Sequence, residues 1–222
     1  MKALLAAFVL ALPMLARAES PTRLACVGDS ITAGYALKHP QRDSYPARLA
    51  RMVLPGWEVR NFGVSGATLM TAGNMPYVRQ KAYPAALAWK PDVVVIALGT
   101  NDTKTMNIGA HPEDFVPSYR VLIASFRKAN PQARIFLCLP PPAFPAAMGI
   151  SNQILVDHIL PLIRQVAAEE KLPLIDLHTP FKADGADFPD KIHPDPEAAK
   201  QIAEIVGEAV GAVGAAIAPA AR

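Results

Sequence analysis

The chain has 222 residues, of which 51% are hydrophobic and 18% charged, and 22 Lys and Arg stand against 19 Asp and Glu for a net charge of +3. That is too apolar for a disordered chain, and a chain of this length holds one domain rather than two. So small a net charge supplies no electrostatic attraction toward nucleic acid or an anionic membrane, and neither is expected as a partner.

The first predicted element is a leader over residues 1–18. Lys2 precedes an apolar run from Ala3 to Leu12, and Ala16-Arg17-Ala18 has the small-residue spacing of a cleavage site. Spanning a bilayer takes about 20 apolar residues, more than this run offers. Export with cleavage after Ala18 is therefore expected, giving a periplasmic or secreted protein that starts at Glu19 and keeps no stable membrane anchor.

From there strand-like and helix-like segments alternate. Residues 23–27 form a short apolar strand stopped by Gly28. Residues 45–54 read as an amphipathic helix with Leu49, Met52 and Val53 on one side. Residues 58–62 are a second strand ended by Gly63. Residues 92–98 contain Val93-Val94-Val95-Ile96, the continuous apolar run of a strand buried on both faces. A helix over 113–130, a strand over 134–139, a helix over 152–171, a strand over 174–177 and a helix over 197–210 complete the series. An Ala/Gly-rich tail follows over 211–222. Five strands alternating with helices predict an α/β domain over 19–210: a three-layer, flavodoxin-like fold around a five-stranded parallel sheet.

The two cysteines, Cys26 and Cys138, fall inside strands one and four. If those strands are not neighbours they cannot bridge, so two buried free thiols are expected. No Cys/His spacing resembles a zinc site, and neither a metal nor a cofactor is implied.

In such a sheet ligands bind beyond the carboxyl ends of the strands. The first strand leads into Gly28-Asp29-Ser30-Ile31-Thr32 and the second into Gly63-Val64-Ser65-Gly66-Ala67-Thr68. The third leads into Gly99-Thr100-Asn101-Asp102, and Asp190-Lys191-Ile192-His193-Pro194 comes after the fifth. Ester hydrolysis needs a nucleophile, a base and donors for an oxyanion. Ser30, at a tight turn after a strand, can present its hydroxyl and its own N–H. His193 has an acid three residues earlier, and Asp190 at that spacing can accept from Nδ1–H and leave Nε2 free for Ser30. Gly66 can offer an unobstructed N–H, and Asn101 a side-chain amide. Ser65 sits in a near miss to the G-x-S-x-G elbow, with Ala67 in the last place, and reads as a turn residue. Asp29 and Asp102 border these loops and are read chiefly as holding them. His39, His111 and His158 lack an acid at useful spacing; His178 follows the fifth strand.

These four blocks resemble those of the GDSL-type esterases and lipases of the SGNH hydrolase superfamily, which supply Ser, Gly, Asn and His. Ser30 matches the first block, here G-D-S-I, Gly66 the second, Asn101 the third, and Asp190 with His193 the fourth. Ser44-Tyr45-Pro46-Ala47, residues 59–68 and Leu174-Ile175-Asp176-Leu177 are similar to bacterial sialate O-acetylesterase-like proteins and carbohydrate esterases. The resemblance implies a serine esterase with catalytic Ser30, Asp190 and His193, an oxyanion hole of Ser30, Gly66 and Asn101, and no cofactor. Its expected partner is a small-molecule or glycan ester, with a short acyl group favoured. A lysophospholipase or thioesterase of the same superfamily and an idle glycan-binding domain are the alternatives. Two loops are expected to wall the cleft, residues 69–77 and 140–150, and Asp29, Tyr77, Phe144 and Met148 are the candidate substrate contacts.

Overall fold

The computed structural model describes residues 20–144, 148–181 and 185–212. The leader expected over 1–18 and most of the C-terminal tail lie outside the described residues.

Five parallel strands form one sheet in the order β2-β1-β3-β4-β5. They are β1 (Thr22–Gly28), β2 (Trp57–Gly63), β3 (Val93–Ala97), β4 (Arg134–Leu139) and β5 (Leu174–Asp176). Successive side chains of a strand point to opposite faces, and here the faces alternate accordingly. Ala25, Val27, Val94, Ile96, Ile135 and Leu137 join one core cluster, while Leu24, Cys26, Val93, Val95, Phe136 and Cys138 join the other. A strand covered on both sides needs no polar alternation, so the central runs are apolar throughout.

Helices α1 (Ser30–Ala33), α2 (Pro40–Asp43) and α3 (Tyr45–Met52) lie between β1 and β2, and α4 (Ala82–Ala88) precedes β3. Helix α5 (Phe115–Ala129) joins β3 to β4, α6 (Asn152–Ile154) and α7 (Leu160–Glu170) join β4 to β5, and α8 (Pro196–Val210) comes last. Phe115, Tyr119, Leu122 and Phe126 of α5 pack with Ile163 and Val166 of α7 on one face; Leu49 of α3 packs with Ile202 and Val206 of α8 on the other.

The expected helix over 152–171 is interrupted by a π turn, Leu155–Ile159, between α6 and α7. Pro161 accounts for it, because it has no N–H for the i−4 carbonyl and its ring crowds that turn. Helix α4 was not anticipated. It is short, Pro84 interrupts its pattern, and only Ala86 in it is fully buried.

Cys26 and Cys138 are buried free thiols. Strand β3 separates the strands that carry them, and burial pushes the Cys26 thiol up to about 12. At the other end of the domain, Gly211 turns the chain out of α8 in a left-handed conformation. Ala212, the last described residue, accepts the Leu54 N–H at 2.7 Å.

Candidate active site

The strand order reverses between β1 and β3, which opens a crevice at the carboxyl edge of the sheet. Ser30 enters it at the head of α1. Asp29 caps that helix, its Oδ1 accepting the Ile31 N–H at 3.0 Å. Gly28 permits the turn: a Cβ there would stand 2.0 Å from Thr32 Oγ1 and 2.7 Å from the Ala97 carbonyl oxygen. Any side chain would push the turn off the sheet.

His193 comes from the segment before α8. Its Nε2 lies 2.9 Å from Ser30 Oγ, and its Nδ1 lies 2.6 Å from Asp190 Oδ2. The other Asp190 oxygen accepts the N–H groups of Ile192 at 3.0 Å and His193 at 2.7 Å, so one carboxylate fixes both the loop and the ring. Burial works to raise the Asp190 pKa, but those N–H groups and the imidazole outweigh it and leave the carboxyl below its usual range. An acid that stays ionised holds a proton on Nδ1, and Nε2 is then free to accept one from Ser30.

Across the crevice, Gly66 turns the loop after β2 with φ of 82°, and a Cβ there would also meet Met75 Sδ at 3.1 Å. Asn101 begins a 3-10 turn after β3, and its amide donates to the Ala67 carbonyl at 3.2 Å. An amide nitrogen carries two hydrogens, so one remains for the cleft. Among the described residues neither the Ser30 N–H nor the Gly66 N–H has a protein acceptor. Three donors therefore border the cleft that holds Ser30 Oγ, as an oxyanion site requires.

Buried side chains brace this half. Asp102 accepts the N–H groups of Leu69 at 3.0 Å and Met70 at 2.9 Å. Asn107 donates to the Asn101 carbonyl at 2.8 Å and exchanges hydrogen bonds with Asn74. Burial pushes the Asp102 carboxyl up to about 6 against the pull of its backbone donors. It pushes Asp29 up to about 7, the Ile31 N–H opposing and the Asp102 charge adding to the rise.

Ser30, Asp190, His193, Gly66 and Asn101 are thus brought together. Of the four candidate substrate contacts, three are not among them. Tyr77 is wholly buried and its hydroxyl donates to the Phe62 carbonyl. Phe144 packs on Phe188 at 5.4 Å between ring centroids and on Phe181 through it. Asp29 is buried, with Oδ1 engaged as the helix cap and Oδ2 enclosed without a hydrogen-bond partner among the described residues. Only Met148 borders the cleft. Ile150, at the end of the expected 140–150 loop, lines it too, and Tyr35 and Lys104 line it from outside both expected loops. Tyr35 faces the His193 ring at 4.7 Å. His39, His111 and His158 are exposed, and His178 Nδ1 meets the Pro140 carbonyl at 3.2 Å instead. Among the described residues, no three His, Cys, Asp or Glu side chains gather as a metal site. The cleft itself has a volume of about 240 Å³.

A family model for the GDSL-like Lipase/Acylhydrolase family matches residues 26–201. The chain is 37% identical over 210 residues to an acetylxylan esterase from Xylanibacter ruminicola, covering 86% of this chain and 44% of that relative, so it spans less than half the relative's length. Among solved structures, it superposes on a carbohydrate acetylesterase from Sinorhizobium meliloti with a TM-score of 0.65 at 21% identity, covering 86% of this chain and 98% of that one. An aryl esterase from M. smegmatis gives 0.67 at 22% identity over 87% and 100%. At these identities the structural matches establish the fold, an SGNH hydrolase fold, and no more.

Proposed function

The chain belongs to the GDSL-like lipase/acylhydrolase family, a family of ester hydrolases, and from that premise we propose that it is an exported serine esterase that removes short acyl groups, acetyl above all, from carbohydrates. The observation that carries this reading is the continuous contact from Asp190 through His193 to Ser30, facing the uncommitted donors of Ser30, Gly66 and Asn101.

In the first step His193 Nε2 takes the Ser30 proton as Oγ bonds to the ester carbonyl carbon. The carbonyl oxygen becomes anionic and receives the two backbone N–H groups and the Asn101 amide. The intermediate then collapses, the alcohol leaves with the proton from Nε2, and an acyl-enzyme remains. Water, deprotonated by the same nitrogen, releases the acid and restores Ser30. Asp190 keeps Nδ1 protonated throughout and stabilises the imidazolium that forms.

The size of the cleft supports a short acyl group. At about 240 Å³ it falls below the roughly 300–1,000 Å³ of pockets that enclose drug-sized ligands. The carbohydrate part of the reading is supported by the acetylxylan esterase relative, and export by the Lys2-to-Ala18 pattern. Hydrolysis of 4-nitrophenyl acetate and octanoate by the mature protein, beside Ser30→Ala, tests the chemistry. Acetate turnover lost in the variant is expected; a preference for octanoate would favour a lipid or thioester substrate. Sequencing the N-terminus of the exported protein tests the leader, with Glu19 expected first.

A further inference from the structure

Lys104 is the charge in the cleft that ester hydrolysis does not account for. It follows the 3-10 turn that carries Asn101, and its backbone is pinned: its N–H donates to the Asn101 carbonyl at 3.3 Å, and its own carbonyl accepts the Asn107 N–H at 2.8 Å. Asn107 in turn holds the Asn101 carbonyl. The lysine is therefore built into the same rigid turn as an oxyanion donor, three residues on. The residue is half-buried and lines the cleft with Ser30 and His193.

Elsewhere in the molecule partly buried cations are neutralised. Arg23 pairs with Asp92 and Arg48 with Asp43. Among the described residues Lys104 has no ion pair and no side-chain hydrogen bond, and no Asp or Glu lines the cleft. Asp190, the carboxylate of the proposed mechanism, has both oxygens engaged by its own loop. A cation on the cleft wall without a counter-charge is open to an arriving anion, and their attraction grows as the ligand displaces water between them.

We infer that Lys104 is an anion subsite, and that the ester this protein prefers carries a carboxylate. This rests on the short-acyl reading above: an acetyl group has no atom on which to place a charge, so the carboxylate belongs to the alcohol, as in an acidic sugar. The one competing role for a cation here is to stabilise the oxyanion itself, which would serve charged and neutral esters alike.

The experiment compares kcat/KM for 4-acetoxybenzoate and its methyl ester, two acetates that differ in one charge on the alcohol. The quantity read is their ratio in the wild type, Lys104→Met and Lys104→Glu. A misfolded fraction lowers both rates together and leaves the ratio alone. The ratio is expected to fall about fivefold in Lys104→Met, the upper range for an ion pair open to solvent, and further in Lys104→Glu. Added salt is expected to move the wild type toward Lys104→Met. An unchanged ratio across the three proteins overturns the inference and returns the lysine to the oxyanion. A Lys104-dependent ratio seen only between 4-nitrophenyl hemisuccinate and butyrate also overturns it, placing the charge on the acyl side. Failure of the esterase reading looks different: the methyl ester would be hydrolysed equally by Ser30→Ala. In that event calorimetry of glucuronate against glucose binding to Ser30→Ala still decides, with a glucuronate preference that Lys104→Met removes expected, and equal binding overturning it.

Discussion

Two loops on the rim of the sheet each hold a carboxylate that accepts two backbone N–H groups, yet their acidities move in opposite directions. Asp190 takes the N–H groups of Ile192 and His193 and is held below the usual carboxylate range. Asp102 takes those of Leu69 and Met70 and is pushed up to about 6. Equal numbers of backbone donors cannot explain this. The difference lies in water and in the imidazole: Asp190 keeps 35% of its side chain exposed and gains the His193 ring, whereas Asp102 is fully enclosed. In the proposed mechanism one carboxylate sits where protons move and must stay charged. The other sits behind the oxyanion donors, where its task is to hold the 67–70 segment beside Asn101.

If that division is right, damage on the proton-transfer side should cost rate before stability. Ser30→Ala removes the nucleophile, and kcat on 4-nitrophenyl acetate should fall by about 10⁶-fold, toward the residue of activity left to binding and the oxyanion donors. Asp190→Asn presents an amide N–H to His193 Nδ1 and favours the wrong tautomer; a drop of about 10⁴-fold in kcat is expected. Retention of wild-type rate in either variant breaks the proton-transfer assignment. On the other side, Asn101→Ala deletes one oxyanion donor and should lower kcat by about 10²–10³-fold, read from Michaelis–Menten kinetics on the same ester.

Asp102→Asn should act mainly on stability. One of the two N–H groups of Leu69 and Met70 loses its acceptor and faces an amide donor, a loss of about 1–3 kcal/mol by urea denaturation. The pH dependence sharpens the contrast. Asp102 has a folded-state pKa above its unfolded value, so the folded chain holds a proton the unfolded chain releases. Its contribution is complete below pH of about 4 and is lost as pH rises through about 6. The stability gap between the wild type and Asp102→Asn should therefore narrow over that window. Asp190 runs the other way: its pKa is depressed on folding, so its contribution is present above the unfolded value of about 4 and is lost as pH falls. The gap to Asp190→Asn should shrink on acidification. Parallel urea titrations from pH 3 to 8 separate the two, and gaps that move together would erase the distinction.

What could be read before the fold was seen divides along a physical line. Residues 92–98 announce a doubly covered strand because every position is apolar, and α5 and α8 announce themselves by apolar residues three or four apart, since period reports which faces are buried. Ser30 and the Asp190–His193 pair were legible too, because each depends on contacts within a few residues: a turn after a strand, and an acid three positions before a histidine. The cleft walls were legible only in part: Met148 and Ile150 of the 140–150 loop do line the cleft, but most of the expected contacts do not. Tyr77 leaves the cleft for the carbonyl of Phe62, 15 residues away, and Phe144 leaves it for Phe188. Lys104 and Tyr35 enter it beside residues from distant parts of the chain. A loop has no period, so the direction of its side chains follows from long-range packing and hydrogen bonds. The layered fold and the residues at each strand end are written in local pattern, whereas the side chains that line the cleft around them are set by contacts between residues far apart in the chain.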